Sequence, residues 1–457
     1  MDFLFVTLLK RRQIALVVAL LLTLGTYAQQ AKYVVLVTID GFRPEFYQDA
    51  SWNMPNLRQM MAEGAYAKGV KGVMPTFTYP SHTTIITGVK PVKHGVYYNS
   101  PFAPEGSNGE WYWKSDFIKT PTLWEAAHKS GLTTANVLWP VTVGADIDYN
   151  IPEIWSTAKD HDRVAPMRQY TTPRGLWEEI EQNATGKLLY DDLNGDYLLL
   201  DENIARMGSY LIRKYKPRFT AVHFPCVDEA EHDEGRDGNK VRLAVASADK
   251  CIGNLLEAIK MAGIQDSTAI IVTGDHGFTD IHTALMPNIW LAQNNLIYKE
   301  GNTLKWKAMF QSASGTGFLY LKDSNDTKTL EQVRTILNNV SPEYKKLFTV
   351  VEGKELKAYG ADRRVAMALL PVDGVVIGMA GSGEVVRPVT TQKGSHGYAP
   401  EYKNMYTGFV AKGAGINKGV VIPAMNLEDI APLITKLLGI QQLAGGDGIV
   451  YPAMFKN

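Results

Sequence analysis

The sequence predicts an α/β protein in which a mostly parallel central sheet is flanked by helices and carries a smaller α+β insertion. Three observations support this expectation. Apolar runs without in–out alternation recur along the chain, as in KYVVLVTIDG, FTAVHF, STAIIVTGDHG and MYTGFVAKGAG. Such runs belong to strands buried on both faces. Helix-period patterns lie between them, and that alternation is the mark of a doubly wound sheet. From 283 to 385 the texture changes to that of a smaller α+β unit.

Taken in order, Lys10, Arg11 and Arg12 precede the apolar run IALVVALLLTLG, and Thr26-Tyr27-Ala28 supplies residues suited to a cut. This is the pattern of a secretory signal peptide over 1–28, with an apolar run shorter than the ~20 residues of a spanning helix. The mature chain is expected to begin near Gln29 and to be exported, periplasmic or secreted. It should keep no stable membrane anchor, and no cysteine near the cut could carry a lipid.

KYVVLVTI then reads as a strand ending at Asp40-Gly41. PNLRQMMAEG (55–64) reads as a helix, AKGVKGVMP as a short run, and PTFTYPSHTTIITGVKPVKHGVYYN (75–99) as a turn entering a helix. Thr and Ser there suit a loop and a helix start. TLWEAAHKSG (122–131) is a helix pattern, FTAVHF a strand, VRLAVASADKCIGNLLEAIKMAG (241–263) a long helix, and STAIIVTG a strand. In the insertion NTLKWKAMF and GTGFLYLK read as exposed strands, TLEQVRTILNNV as a helix and ADRRVAMALL as another strand. MYTGFVAKGAG returns to the core, and LEDIAPLITKLLG (427–439) is a helix stopped by its glycine. The expected organisation is a core over 29–282 and 386–457 with an insertion over 283–385.

Length and composition bound the function. The 457 residues, 45% apolar and 21% charged, can bury a large core. Basic and acidic residues balance at 47 each, so no global field recruits nucleic acid or an anionic membrane. The expected partner is a small molecule; no nucleic-acid-binding surface and no protein partner is evident. Cys226 and Cys251 permit one disulfide in an exported protein, or two buried thiols. A CxxC metal site is excluded, which leaves histidine and carboxylate as metal ligands.

In open α/β sheets ligands sit beyond the carboxyl ends of the strands. Asp40 follows the first run, Asp228 and His232 follow FTAVHF, Asp275 and His276 follow STAIIVTG, and His396 precedes the last core run. Singly, each reads as a turn, cap or hydrogen-bonded residue. Together they put three aspartates and three histidines on one rim, a set that suits zinc, and a pair of ions better than one. Thr78, at a strand-to-helix turn on that rim, is a hydroxyl that metal coordination could activate.

VTIDGFRPEF, PTFTYPSHTTIITG with HGVYYN, LWP (138–140), DEAEH, TGDHGF and KGSHGY occur in the order found in nucleotide pyrophosphatase/phosphodiesterases of the alkaline phosphatase superfamily. The chain resembles a secreted bacterial member of that family over nearly its whole mature length, and the resemblance implies an alkaline-phosphatase-like core. It also implies two Zn2+ ions, one held by Asp40, Asp275 and His276 and the other by Asp228, His232 and His396. Thr78 would be the nucleophile between them, and Asn99 would donate to a phosphate oxygen. Thr76, Ser81, Thr83, Thr84 and Thr87 would be helix-start and packing residues, and His82 and His94 are not expected to be ligands. Tyr79, with Trp139 or Tyr98 as further candidates, could stack on a base or cover an acyl chain, or simply pack in the core.

Ser81, Tyr79 and the loop Cys-Val-Asp-Glu-Ala-Glu-His depart from the usual family residues, a difference that bears on the substrate pocket and removes no ligand. The implied activity is hydrolysis of phosphodiester or pyrophosphate bonds through a phospho-threonine. Two divalent cations against three carboxylates and an alkoxide sum to about zero, which suits a singly charged diester. A threonine-type alkaline phosphatase acting on monoesters is the alternative, but its Lys-x-Arg clamp is not matched by Lys159 and Arg163. Thr78-Tyr79-Pro80-Ser81-His82 lacks the Cys or Ser and the Arg of a sulfatase. A catalytically inactive metal-containing binding protein is the reading from another class.

Overall fold

The computed structural model describes residues 30–456 apart from 106, 195 and 196. The expected signal peptide and its cut lie outside the described residues. Tyr33–Ile39 (β1), Ala65–Lys71 (β2), Thr134–Val137 (β3), Tyr149–Ile151 (β4), Phe219–Phe224 (β5) and Thr268–Gly274 (β6) come first. Ala308–Ser312 (β7), Gly317–Leu321 (β8), Phe348–Glu352 (β9) and Val365–Pro371 (β10) follow, before Thr407–Gly413 (β11), Val420–Ile422 (β12) and Met425–Asn426 (β13).

The main sheet runs β12-β2-β11-β6-β1-β5-β3-β4, with β13 beside β2. β1 pairs in parallel with both β5 and β6, and only β11 runs antiparallel to its neighbours. Every residue of β1 is buried. Tyr33, Val35, Val37 and Ile39 enter one hydrophobic cluster, while Val34 and Leu36 enter another on the opposite face. The unbroken apolar run is thus a period-two strand with two cores to fill.

Helices Pro55–Glu63 (α1), Thr78–Thr87 (α2), Leu123–Lys129 (α3), Tyr197–Tyr215 (α4), Cys226–Glu234 (α5), Asn239–Met261 (α6), Thr327–Asn339 (α7) and Ile430–Leu438 (α8) account for most of the helical chain. α1, α4, α5 and α6 supply residues to the first cluster, and α2, α3 and α8 to the second. The molecule is therefore helix, sheet, helix, as three layers. Among the described residues no helix is long and apolar enough to cross a membrane.

β7-β8-β10-β9 form a separate antiparallel sheet with its own core, covered by α7 and by Pro287–Gln293. Here the reading of exposed strands is corrected. NTLKWKAMF divides into Thr303–Trp306, paired with Ile297–Glu300, and β7, whose Ala308, Met309 and Phe310 are buried. β8 is likewise buried over Gly317–Tyr320, because it lies inside the core of this second unit. The α4, β3 and β4 segments carried no pattern singled out in the sequence. Cys226 and Cys251 are both buried, and no disulfide joins them.

Candidate metal centre and nucleophile

Asp40 directly follows β1 and Asp275-His276 directly follow β6, so parallel pairing of these strands brings the three together. Asp228 and His232 lie one turn apart on α5, which faces them after β5. His396 follows Gly394-Ser395, which pair with Thr279-Asp280 just beyond the β6 loop. Thr78 is the first residue of α2 and is 8% exposed.

The six side chains converge. His276 Nε2 stands 3.1 Å from Asp275 Oδ2 and 3.4 Å from Asp40 Oδ1. Asp228 reaches His232 Nε2 with one oxygen and His396 Nε2 with the other, each at 3.5 Å. The rings of His276 and His396 are stacked 3.7 Å apart, which joins the two groups. Two trios place their ligand atoms within 4.8 Å of one another: Asp228, His232, His396 and Asp40, Asp228, His276. Asp228 thus reaches into both groups, a sharing that the division into two separate trios did not include. Asp40, Asp275 and His276 are buried, whereas Asp228 and His232 are half-buried and mark the mouth.

These residues fit a cation. His232 donates its Nδ1 hydrogen to Gly394 O, His276 to Gly277 O and His396 to Thr76 O. A carbonyl can only accept, so each ring turns an Nε2 lone pair inward, the arrangement of a supported metal-ligating histidine. Asp40 Oδ1, Asp228 Oδ1, Asp275 Oδ2 and His276 Nε2 are buried with no hydrogen-bond partner. Orphaned acceptors of this kind are costly unless something positive sits among them.

The titration directions agree. Burial, then the Asp228 carboxylate, raises Asp40 well above the usual range, and burial followed by Asp40 does the same to Asp275. Burial, then His396 and His232, depresses His276, and burial pushes His396 down to about 4. Neutral histidines beside crowded carboxylates favour a cation over protons as the shared partner.

Glycine lets the backbone close around this rim. Gly397 has φ +87°, and a Cβ there would lie 2.0 Å from Ala313 O. On Gly277 a Cβ would lie 2.1 Å from Asn404 O. Neither position admits a side chain without moving the backbone that bears a histidine.

Around Thr78 the other groups are occupied. Thr76 donates to Tyr398 O, Thr83 to Tyr79 O and Thr87 to Thr83 O, and Thr84 meets His94 Nε2. His82 spends both ring nitrogens, one on Thr78 O at 2.8 Å and one on Thr38 Oγ1 at 2.9 Å. Asn99 Oδ1 accepts the Tyr79 backbone N–H at 3.0 Å, which fixes the amide and leaves Nδ2 as the free donor.

The three aromatic candidates for a substrate surface are corrected. Tyr79 and Trp139 are fully buried, and Tyr98 is 3% exposed. Trp139 packs edge-on to His82 and Trp124, and the Tyr98 hydroxyl meets that of Tyr320. Each fills a core, and none offers a face to a ligand.

A second aromatic group packs beside Tyr79. Trp111 meets the Tyr79 ring at 5.3 Å and Trp155 at 4.7 Å, and both tryptophans are half-buried, with Arg163 5.6 Å over Trp155. His223, buried on β5, adds a contact to the ligand group: its Nδ1 lies 3.2 Å from Leu138 O and its Nε2 3.2 Å from Asp40 Oδ2, a hydrogen bond to that carboxylate when Nε2 carries a proton. Its signal was a histidine inside the apolar strand FTAVHF.

The family model described as type I phosphodiesterase / nucleotide pyrophosphatase matches residues 34–399. Ectonucleotide pyrophosphatase/phosphodiesterase family member 3 of Rattus norvegicus is 24% identical over 423 residues, covering 89% of this chain and 42% of the relative. The chain therefore spans about two fifths of the length of the first curated relatives it matches. Human ectonucleotide pyrophosphatase / phosphodiesterase 5 superposes with a TM-score of 0.66 at 20% identity, covering 91% of this chain and 97% of that one. An inactive threonine-to-alanine variant of the murine counterpart, in complex with AMP, gives 0.65 at 20% identity, with 92% and 97% covered.

Proposed function

The chain belongs to the type I phosphodiesterase / nucleotide pyrophosphatase family, and on that premise we propose that it is a zinc-dependent hydrolase of phosphodiester or pyrophosphate bonds with Thr78 as its nucleophile. The observation that carries the reading is the group of buried, partnerless ligand atoms of Asp40, Asp228, Asp275 and His276 on the rim where α2 begins. Asp40, Asp275 and His276 would hold one ion and Asp228, His232 and His396 the other, with Asp228 in reach of both. Bound there, two zinc ions would supply Lewis-acid charge for the phosphate oxygens and lower the pKa of the Thr78 hydroxyl.

The chain's own residues do the rest. Thr78 Oγ1 forms a bond to phosphorus as the leaving oxygen departs, and water then cleaves that Thr–phosphate ester and restores the hydroxyl. Asn99 Nδ2, freed because Oδ1 is taken by Tyr79 N–H, donates to a non-bridging oxygen. The N-terminus of α2 presents its positive dipole end on the same side. Trp111 and Trp155 offer a flat surface for the organic group of the substrate. The AMP complex of the murine relative supports a nucleotide as that group. Export to the periplasm or beyond belongs to the same reading, supported by the charged and apolar pattern of residues 10–28.

The test is turnover of an aryl phosphodiester, its monoester and a dinucleoside polyphosphate by zinc-loaded protein, followed by acid quench and peptide mass analysis. Diester cleavage with phosphate on the Thr78 peptide is expected. A tenfold monoester preference would move the assignment to alkaline phosphatase, and full zinc without turnover of any ester would leave a binding protein.

A further inference from the structure

Asn99 lies in a loop, where an amide has freedom to turn away from its task. Its neighbour Tyr98 is anchored in the other sheet. The Tyr98 hydroxyl lies 2.8 Å from that of Tyr320 on β8, and the Tyr320 hydroxyl lies 2.9 Å from Asp362 Oδ2. Arg364 holds the same carboxylate through Nε at 3.0 Å and a terminal nitrogen at 2.7 Å. The direction of the chain is fixed by its end. Asp362, paired with arginine, can only accept, so Tyr320 donates to it and Tyr98 donates to Tyr320. Tyr98, Tyr320 and Asp362 are 3%, 2% and 5% exposed, so water does not compete for these bonds.

Packing reinforces the anchor from both sides of Asn99. Tyr98 sits in the core of the second sheet, 5.6 Å from the Phe318 ring. Three residues past Asn99, Phe102 stacks on Tyr320 at 4.0 Å and 17°. Between these anchors the Asn99 carbonyl accepts from Tyr112 N–H at 2.9 Å, and its side chain accepts from Tyr79 N–H. The loop touches the main body through Asn99 itself and the second sheet through the residues around it.

We propose that Tyr98, Tyr320 and Asp362 are positioning residues through which the second sheet sets the Asn99 amide at the reacting phosphate. The inference rests on the reading of Asn99 as the oxyanion donor. It assigns the β7–β10 unit a part in turnover in addition to any part in binding. Misplacing a donor by about 1 Å is enough to cost ~10²-fold in rate, so partial loosening should be readily seen.

Tyr98→Phe and Tyr320→Phe keep the rings and remove one link each. Each should lower kcat about 5- to 20-fold on an aryl diester with KM within about twofold, the pattern of an interaction made only in the transition state. Zinc content should be unchanged. In an Asn99→Ala background the same substitutions should lower kcat no further, because the donor they position is already gone. Equal fold-losses in both backgrounds would mean that the tyrosines merely support the fold, and the proposal would fail. A harmful Asn99→Ala with a harmless Tyr98→Phe would also overturn it. Asn99→Ala with wild-type kcat would instead remove the donor role on which it rests. Should either phenylalanine variant misfold, Arg364→Gln tests the same link from a side chain 60% exposed, with a smaller kcat loss expected and none in the Asn99→Ala background.

Discussion

Thr78 differs from its hydroxyl neighbours in what surrounds it: Thr76, Thr83, Thr84 and Thr87 are each committed to a hydrogen bond, and Thr78 heads α2 at the ligand rim. Thr78→Ala should abolish turnover while both zinc ions stay bound, and Thr78→Ser should keep part of it; steady-state kinetics with elemental analysis decides. Asn99→Ala should slow kcat by ~10²–10³ as lost oxyanion donors do. Asn99→Asp should be at least as damaging, since it keeps the acceptor for Tyr79 N–H but removes the donor. Ser81→Ala should leave both rate and Tm near wild type, because Ser81 Oγ is buried without a partner and its loss frees no other group.

Burial raises Asp201 to about 7, well above the usual carboxylate range. Its folded pKa lies above the unfolded one, so its stabilising effect is complete at acid pH and is lost as pH climbs through that window. The Tm advantage of Asp201→Asn over wild type, both chelated, should therefore grow between about pH 4 and 7 and level off above. A difference that does not change with pH would refute the assignment. Nothing in LLLDENIAR showed that this aspartate faces Cys226 inside the core; its partner is 25 residues away on another helix.

Among the elements, the turns after β1 and β6, the start of α2, the first two turns of α5 and the segment after Gly394-Ser395 assemble the site, and two glycines set how closely they approach. Gly397→Ala must hold an L-residue at φ +87°, which costs roughly 1–2 kcal/mol, and must also move Ala313 O. We expect lower Tm and weaker zinc binding together, since His396 is the preceding residue; urea melts and zinc titration measure both. Strands were readable where apolar runs were long, as in β1, β5, β6 and β11. β3 and β4 were not, being four and three residues long. NTLKWKAMF has mixed polarity because its two halves belong to different sheets, which no local pattern reveals.

For the whole molecule, zinc held at the proposed site would join chain segments from residue 40 to residue 396 and so act as a tether across the fold as well as a reagent. Chelation should lower Tm as well as abolish activity, and restoring zinc should recover both, with close to two ions per chain by elemental analysis. A chain fully active with one ion would contradict the shared use of Asp228. The sequence by itself determined the α/β class, the rim on which acids and histidines gather, and the family to which the motifs are similar. Those features depend on local patterns: apolar runs, and the residue types that follow them. The tertiary structure alone decided that Asp228 reaches both ligand groups and that His223 lies against Asp40. It also decided that Tyr79, Tyr98 and Trp139 are core residues while Trp111 and Trp155 are only half-buried. An aromatic side chain has the same composition in a core or at a mouth, and only the segments packed against it, distant in sequence, determine which it becomes.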